Sequence, residues 1–244
     1  MSLQFDAASQ VKPMYSIDDL RFLMRRLRDP KTGCPWDIEQ DYASITPSTI
    51  EEAYEVVDAI DHGDKAQLKE ELGDLLFQII FYNQLAEEEG AFRFEEIVDG
   101  LTAKLIRRHP HVFTDGSLRG DSATLSNSEN AEAQVNQAHV KAQWENIKQA
   151  ERKDKGLESV LDDVPLALPA LTRAQKLQKR AARINLDWKS PKDVLTKLNE
   201  EVEELNEAVS QEDINAIEAE LGDCLFTLVN VARHYKLDAE SALK

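Results

Sequence analysis

The octet EELGDLLF at residues 70–77 returns as AELGDCLF at residues 219–226. One shift of 149 residues (70 to 219) superimposes them, and the same shift carries Glu52 onto Glu201, Glu55 onto Glu204, Glu71 onto Glu220 and Asp74 onto Asp223. Glu51, Ala59, Asp64, Leu72, Gly73, Leu76 and Phe77 also meet identical partners, with no gap from Ile50 to Ile80. Self-similarity at one long offset marks a duplicated domain rather than a short-period solenoid. Whatever the first copy folds into, the second must fold into as well.

The local pattern says helix. Gly (9) and Pro (8) are scarce among 244 residues, and alternation of the strand type is hard to find. A helix is expected from the N-cap Ser16 to about Arg28, followed by a turn-rich loop over 28–37 with Pro30, Gly33 and Pro35 as breakers. Helices are then expected over about 46–61 and 65–89, ended by Gly90, and over 94–109, stopped by Pro110. Residues 1–15 show no commitment to structure. The Ser-, Gly- and Asn-rich stretch 115–130 reads as a loop or linker, and a helix follows over about 131–153. The second copy supplies helices near 167–184, 191–210 and 213–236, and a short start after Asp238. The resulting fold class is all-α, two tandem related helical-bundle domains. Their limits are 16–114 and 167–244, with 115–166 as the linker carrying the 131–153 helix.

Within this frame the acids fall into a mirror pattern. Glu52 and Glu55 are three apart and share a helix face, as do Glu71 and Asp74. The sequence His62-Gly63-Asp64 between them reads as the turn of an antiparallel αα-hairpin. Glu55 and Glu71 each stand eight residues from Gly63, and Glu52 and Asp74 each stand eleven. Glu55 therefore faces Glu71, and Glu52 faces Asp74, starting roughly 12 Å from the turn at the helical rise. Glu201, Glu204, Glu220 and Asp223 repeat this about Glu212. Four facing carboxylates repel and raise one another's pKa. A bound divalent cation removes that repulsion, and oxygen-only ligands suit Mg²⁺ or Mn²⁺ rather than zinc. No His occupies the Glu-x-x-His spacing of di-iron bundles. The competing reading is acids on a solvated helix face, which a mirrored and duplicated arrangement disfavours. Gly73 and Gly222 lie inside helices, where Gly costs about 1 kcal/mol relative to Ala. Either tight helix packing or the close approach of a ligand or another helix would account for them.

Composition narrows the function. A net charge of −17 disfavours nucleic acid and anionic membrane as partners. Two cysteines give no disulfide framework, and no leader or spanning apolar run is visible, so a cytoplasmic protein is the expectation. Cys34, between Gly33 and Pro35, reads as structural. Trp36 and Trp188 read as packing residues, and His109 and His111 as caps around Pro110.

These motifs resemble those of the all-α nucleoside triphosphate pyrophosphohydrolases, and among them the two-domain MazG type. The likeness is carried by LRDPKTGCPWDIEQDY (27–42), EEAYEVVDAI (51–60), ELGDLLFQIIFYNQLAEEEG (71–90), KLIRRHPHVF (104–113), WENIK (144–148) and RAQKLQKRAARINLDW (173–188). It implies helical bundles, homodimers, Mg²⁺, and hydrolysis of a nucleoside triphosphate to the monophosphate and pyrophosphate. It further implies metal ligation by Glu52, Glu55, Glu71 and Asp74 and by Glu201, Glu204, Glu220 and Asp223, the second set being catalytic. Substrate contacts are implied for Lys104, Arg108, Trp144, Lys148 and Lys197. Read without the resemblance, Lys104 and Arg108 fit equally a solvated basic helix end, and Trp144 a core residue with Lys148 outside. The family's second domain continues past SALK (241–244) with its own Lys-x-x-x-Arg and Trp-x-x-x-Lys, and neither follows here. Rival functions are a narrower relative, of dUTPase or phosphoribosyl-ATP pyrophosphohydrolase type, and a non-catalytic helical regulator that binds nucleotides or a partner.

Overall fold

The computed structural model describes residues 14–120, 137–154, 156–157 and 159–244, and these are helical with no strand among them. The chain separates into two compact units, Met1–Gln134 and Val135–Lys244. The sequence reading over residues 1–13 and 121–136 lies outside the described residues.

The first unit holds α1 (Ile17–Leu27), α2 (Pro35–Glu39), α3 (Thr46–His62), α4 (Lys65–Glu89) and α5 (Phe94–Arg108). Each boundary has a chemical cause. Ser16 and Asp19 form a reciprocal capping box at the start of α1. Gly63 ends α3 in the left-handed region at φ 71°, and the Asp64 side chain accepts from the amides of Ala66 and Gln67 to open α4. Gly90 closes α4 at φ 69°, and the His109 ring meets the Leu105 carbonyl at 2.6 Å to finish α5. α3 and α4 pack along each other as the expected hairpin, and α1 lies against α4.

The core of this unit is Met24, Ile45, Ile80, Phe81 and Leu85, flanked by Leu20, Phe77, Tyr82 and Phe94. Two arginines pin its rim. Arg21 pairs with Glu87 at 3.2 Å and Glu95 at 2.7 Å and lies over Phe94, which ties α1 to α4 and α5. Arg28 pairs with Glu88 at 2.8 Å, lies over Phe81, and donates to the carbonyls of Asp37 and Gln40.

That last contact corrects the sequence reading of 28–37. Pro35 does not break the chain into loop; it occupies the first turn of α2, where a missing N–H is harmless. α2 turns Asp37 inward, under the Arg28 guanidinium, and leaves Trp36 60% exposed. Trp36 is therefore not the packing residue expected. Gly33 is fixed by close approach: a Cβ there would stand 2.3 Å from the Leu27 carbonyl oxygen.

The second unit holds α6 (Gln137–Asp154), α7 (Ala170–Ala182), α8 (Pro191–Ser210), α9 (Ile214–His234) and α10 (Ala239–Leu243). α8 and α9 repeat the α3–α4 hairpin, with Asp213 capping α9 as Asp64 caps α4. α7 packs on α9, where buried Gln178 donates to the Phe226 carbonyl at 2.7 Å, and buried Gln175 donates to the carbonyl of Leu237, between α9 and α10, at 2.8 Å. Arg183, the C-cap of α7, pairs with Glu145 of α6 at 2.7 Å.

The two hairpin turns differ in one respect. At the position of Gly63 the second copy has Glu212, which adopts the same left-handed conformation at φ 56°. A residue with a Cβ is disfavoured there by about 1–2 kcal/mol. Exchanging the residues tests the equivalence. Gly63→Glu should lower stability by about 1 kcal/mol, and Glu212→Gly should raise it by up to about the same amount. Urea unfolding followed by circular dichroism measures both.

Candidate metal centre

The hairpin brings the acids together as the mirror pattern requires, with one difference. Glu52, Glu55 and Glu71 each offer a carboxylate oxygen within 4.8 Å of the others, and so do Glu201, Glu204 and Glu220. Asp74 and Asp223 stand outside these clusters at that distance. Each sits a turn further along its helix than the glutamate before it, and its side chain is one methylene shorter. The Asp74 charge still acts on Glu52.

The donor set fits a hard divalent ion. Oxygens on opposite sides of a six-coordinate cation are separated by about 4.2–4.8 Å when each bond is about 2.1–2.4 Å, which is the span of these clusters. Among the described residues no His or Cys joins either one. Cys224 follows Asp223, but burial, and then the charges of Glu201, Glu220 and Asp223, push its thiol pKa up, so it remains a neutral packing group.

Repulsion within the clusters is visible in their proton affinity. Burial, followed by the charge of Glu55, raises the pKa of Glu52; Asp74, a hydrogen bond shared with Glu55, and Glu71 add to the rise. At Glu204 the neighbouring Lys197 pulls the pKa down, yet desolvation, Glu201 and Glu220 together carry it above the ordinary value. The Lys197 ammonium lies 3.0 Å from Glu201, 3.4 Å from Glu200 and 3.9 Å from Glu204. Glu201 is buried, whereas Glu55 and Glu204 are exposed and Glu52 is half-buried.

The remaining sequence candidates lie on other helices. Lys104 and Arg108 share α5, one turn apart, at its basic C-terminal end. Trp144 and Lys148 share α6 in the second unit, with the ammonium 4.2 Å from the indole centroid and 3.9 Å from Glu145. Such an amine on an aromatic face is a cation–π pair. Gly73 and Gly222 are not explained by packing within their own hairpins. A Cβ at either would meet nothing within 4 Å.

Comparison with known proteins agrees with this geometry. The MazG nucleotide pyrophosphohydrolase domain matches residues 40–113 and 189–244, together more than half of the chain, and each segment contains one carboxylate cluster. A nucleoside triphosphate pyrophosphohydrolase of Escherichia coli is 47% identical over 95% of this chain and 82% of its own length. The nucleoside triphosphate pyrophosphohydrolase/pyrophosphatase MazG of Thermotoga maritima is 41% identical over 93% of this chain and 79% of its own. A nucleoside triphosphate pyrophosphohydrolase of Mycobacterium tuberculosis is 39% identical over 67% of this chain and 44% of its own length. The chain belongs to the MazG nucleotide pyrophosphohydrolase family, a family of enzymes.

The raised pKa of Glu52 has a measurable consequence. Its folded value lies above the ordinary 4.5, so between the two the folded protein holds a proton that the unfolded chain has lost. Stability then falls as pH rises through that window, and the full penalty is present above it. Glu52→Gln removes the titrating group. Without metal the variant should melt higher than the parent at about pH 7 and within error of it near pH 4. Added Mg²⁺ should narrow the gap by stabilising the parent more. Differential scanning fluorimetry across pH, with and without Mg²⁺, reads all of this.

Proposed function

We propose that this chain is a divalent-cation-dependent hydrolase that cleaves nucleoside triphosphates between the α and β phosphates, giving the monophosphate and pyrophosphate. The observation that carries the reading is a three-carboxylate cluster built twice, at the same level of two copies of one hairpin. The names of the relatives at 41–47% identity support the substrate class. Water is the second reactant: its oxygen joins the α phosphorus, the bond to the bridging oxygen breaks, and pyrophosphate leaves with the electron pair.

Glu201, Glu204, Glu220 and Asp223 would hold the ion at the catalytic site, and Glu52, Glu55, Glu71 and Asp74 at its counterpart. The cation, Mg²⁺ with Mn²⁺ as substitute, supplies charge neutralisation on the phosphates and lowers the pKa of a coordinated water. The protein's own groups do the rest. Burial of Glu201 fixes the cluster against α9. One of the four acids would act as general base toward the incoming water in place of ligating the ion. Lys197 brings an ammonium to the rim of the second cluster, where a phosphate chain would find a donor. Lys148, Lys104 and Arg108 are further cationic donors for phosphate, and the Trp144 face is a surface for a base. We assign catalysis to the second cluster because, among the described residues, a lysine pairs with the acids there and none does at the first. The groups named address the phosphate chain, which all nucleoside triphosphates share, so broad base preference is expected.

Pairing of two chains completes the proposal. α4 leaves Leu72, Leu76 and Ile79 half-exposed, and α9 leaves Leu221, Leu225 and Leu228 so, beside the acid clusters. Apolar stripes of this extent mark interaction surfaces. No helix among the described residues is long and apolar enough to cross a membrane.

Two measurements test these points. Glu220→Ala should reduce pyrophosphate release from a panel of triphosphates with Mg²⁺ by about a hundredfold or more, and Glu71→Ala by much less. Equal loss in both, or loss only in Glu71→Ala, refutes the assignment to the second cluster. Light scattering at micromolar concentration should give twice the 27.6 kDa chain mass; a monomeric mass refutes pairing.

A further inference from the structure

The two acid clusters balance their charge differently. In the first, the groups around Glu52 are all acidic: Glu55, Glu71 and Asp74. Gln67 donates to Glu71 at 3.3 Å, and among the described residues no basic side chain pairs with Glu52, Glu55 or Glu71. In the second, the Lys197 ammonium stands against Glu201 and Glu204, two of the three clustered acids. The shift of 149 residues explains the contrast. Lys197 sits one turn before Glu201 on α8, and the matching residue one turn before Glu52 on α3 is Ser48.

We propose that Lys197 is a tethered cation that competes with the divalent ion for the second cluster, so that the first cluster takes free metal more tightly than the second. This rests on the reading of both clusters as metal sites. A lysine and a divalent ion cannot share Glu201 and Glu204 without like charges at contact distance. For metal to enter, the ammonium must leave its carboxylates. Its flexible four-carbon stem allows that, and its third exposure to solvent leaves it room. The released ammonium needs a new anion, and the phosphate chain arriving with the metal supplies one. The second cluster is thereby built to bind metal together with a polyphosphate, whereas the first binds metal alone.

The test is metal binding in the full chain without nucleotide. Free Mn²⁺ is followed by electron paramagnetic resonance, and folding of each variant is checked by circular dichroism. The parent should show one tighter and one weaker site, and Glu220→Gln should remove the weaker. Lys197→Met should tighten that weaker site about fivefold, the factor an exposed ion pair of ordinary strength contributes, while Lys197→Arg keeps the parental affinity. Ser48→Lys should weaken the tighter site by about the same factor. Unchanged or weaker Mn²⁺ binding at the Glu220-dependent site of Lys197→Met overturns the proposal and leaves the metal reading standing. A folded parent that binds no Mn²⁺ overturns both.

Discussion

Like-charge repulsion at the middle of the two hairpins is the constraint on which the rest depends. Three carboxylates with oxygens inside 4.8 Å repel one another, and positive charge or protons among them relieve that repulsion. In the first cluster burial, and then the repulsion, raise the proton affinity of Glu52, which shares a hydrogen bond with Glu55. The second answers with Lys197. Both are weak substitutes for a doubly charged ion. A proton is lost as pH rises, and an ammonium on a long stem offsets one charge of three. Residual repulsion of this kind provides differential binding energy for a metal, and a site built for stability alone would have no reason to keep it.

Holding such a cluster requires stiff helices, and the residues around it supply that stiffness from outside. The Asp64 and Asp213 caps fix where α4 and α9 begin, so Glu71 and Glu220 fall at set heights. In the first unit Arg21 and Arg28 bind the far end of α4 to its neighbours through Glu87 and Glu88. Burial comes first among the causes acting on both glutamates, and it acts to raise their pKa. The hydrogen bonds of Asn83 and Arg21 at Glu87, and of Arg28 and Gln84 at Glu88, outweigh it and leave both below the ordinary value. The acids near the C-terminal end of α4 are therefore satisfied and structural, while Glu71 of the same helix stands among the carboxylates of α3.

Much of this was legible in the sequence, because helix caps, turn spacing and duplication are local signals. Gly63 and Asp64 set the hairpin, and counting outward from them placed Glu55 opposite Glu71 before any coordinates. What eluded the sequence depended on reach and orientation. Counting residues put Asp74 and Asp223 level with Glu52 and Glu201 but took no account of the shorter side chain. Trp36 was expected to pack, since large aromatics bury area, yet the orientation of α2 is set by Arg28 gripping its carbonyls, and that favours Asp37 inside. The signal for α2 was Pro35 itself, which serves as readily at a helix start as at a break. The pairing of Lys197 with Glu201 was present as an i,i+4 spacing, and it gained meaning only once α9 brought Glu220 to the same place.

Duplication makes the differences between the copies as informative as the likeness. The ligands, the caps and the buried alanines Ala59 and Ala208 coincide. The turn residue and the residue one helical turn before the first glutamate do not. Glu212 bears a backbone strain that Gly63 avoids, so the second hairpin keeps its geometry despite a less suitable residue. Lys197 brings charge to the second cluster, whereas Ser48 brings none to the first. A cluster with no cation of its own attracts metal most strongly when nothing else is bound. A cluster with a movable ammonium holds metal less well alone and gains more when a polyphosphate supplies the ammonium with a new partner. Under the proposed metal reading, that difference in what each site requires places the chemistry at the second hairpin and a standing metal complement at the first.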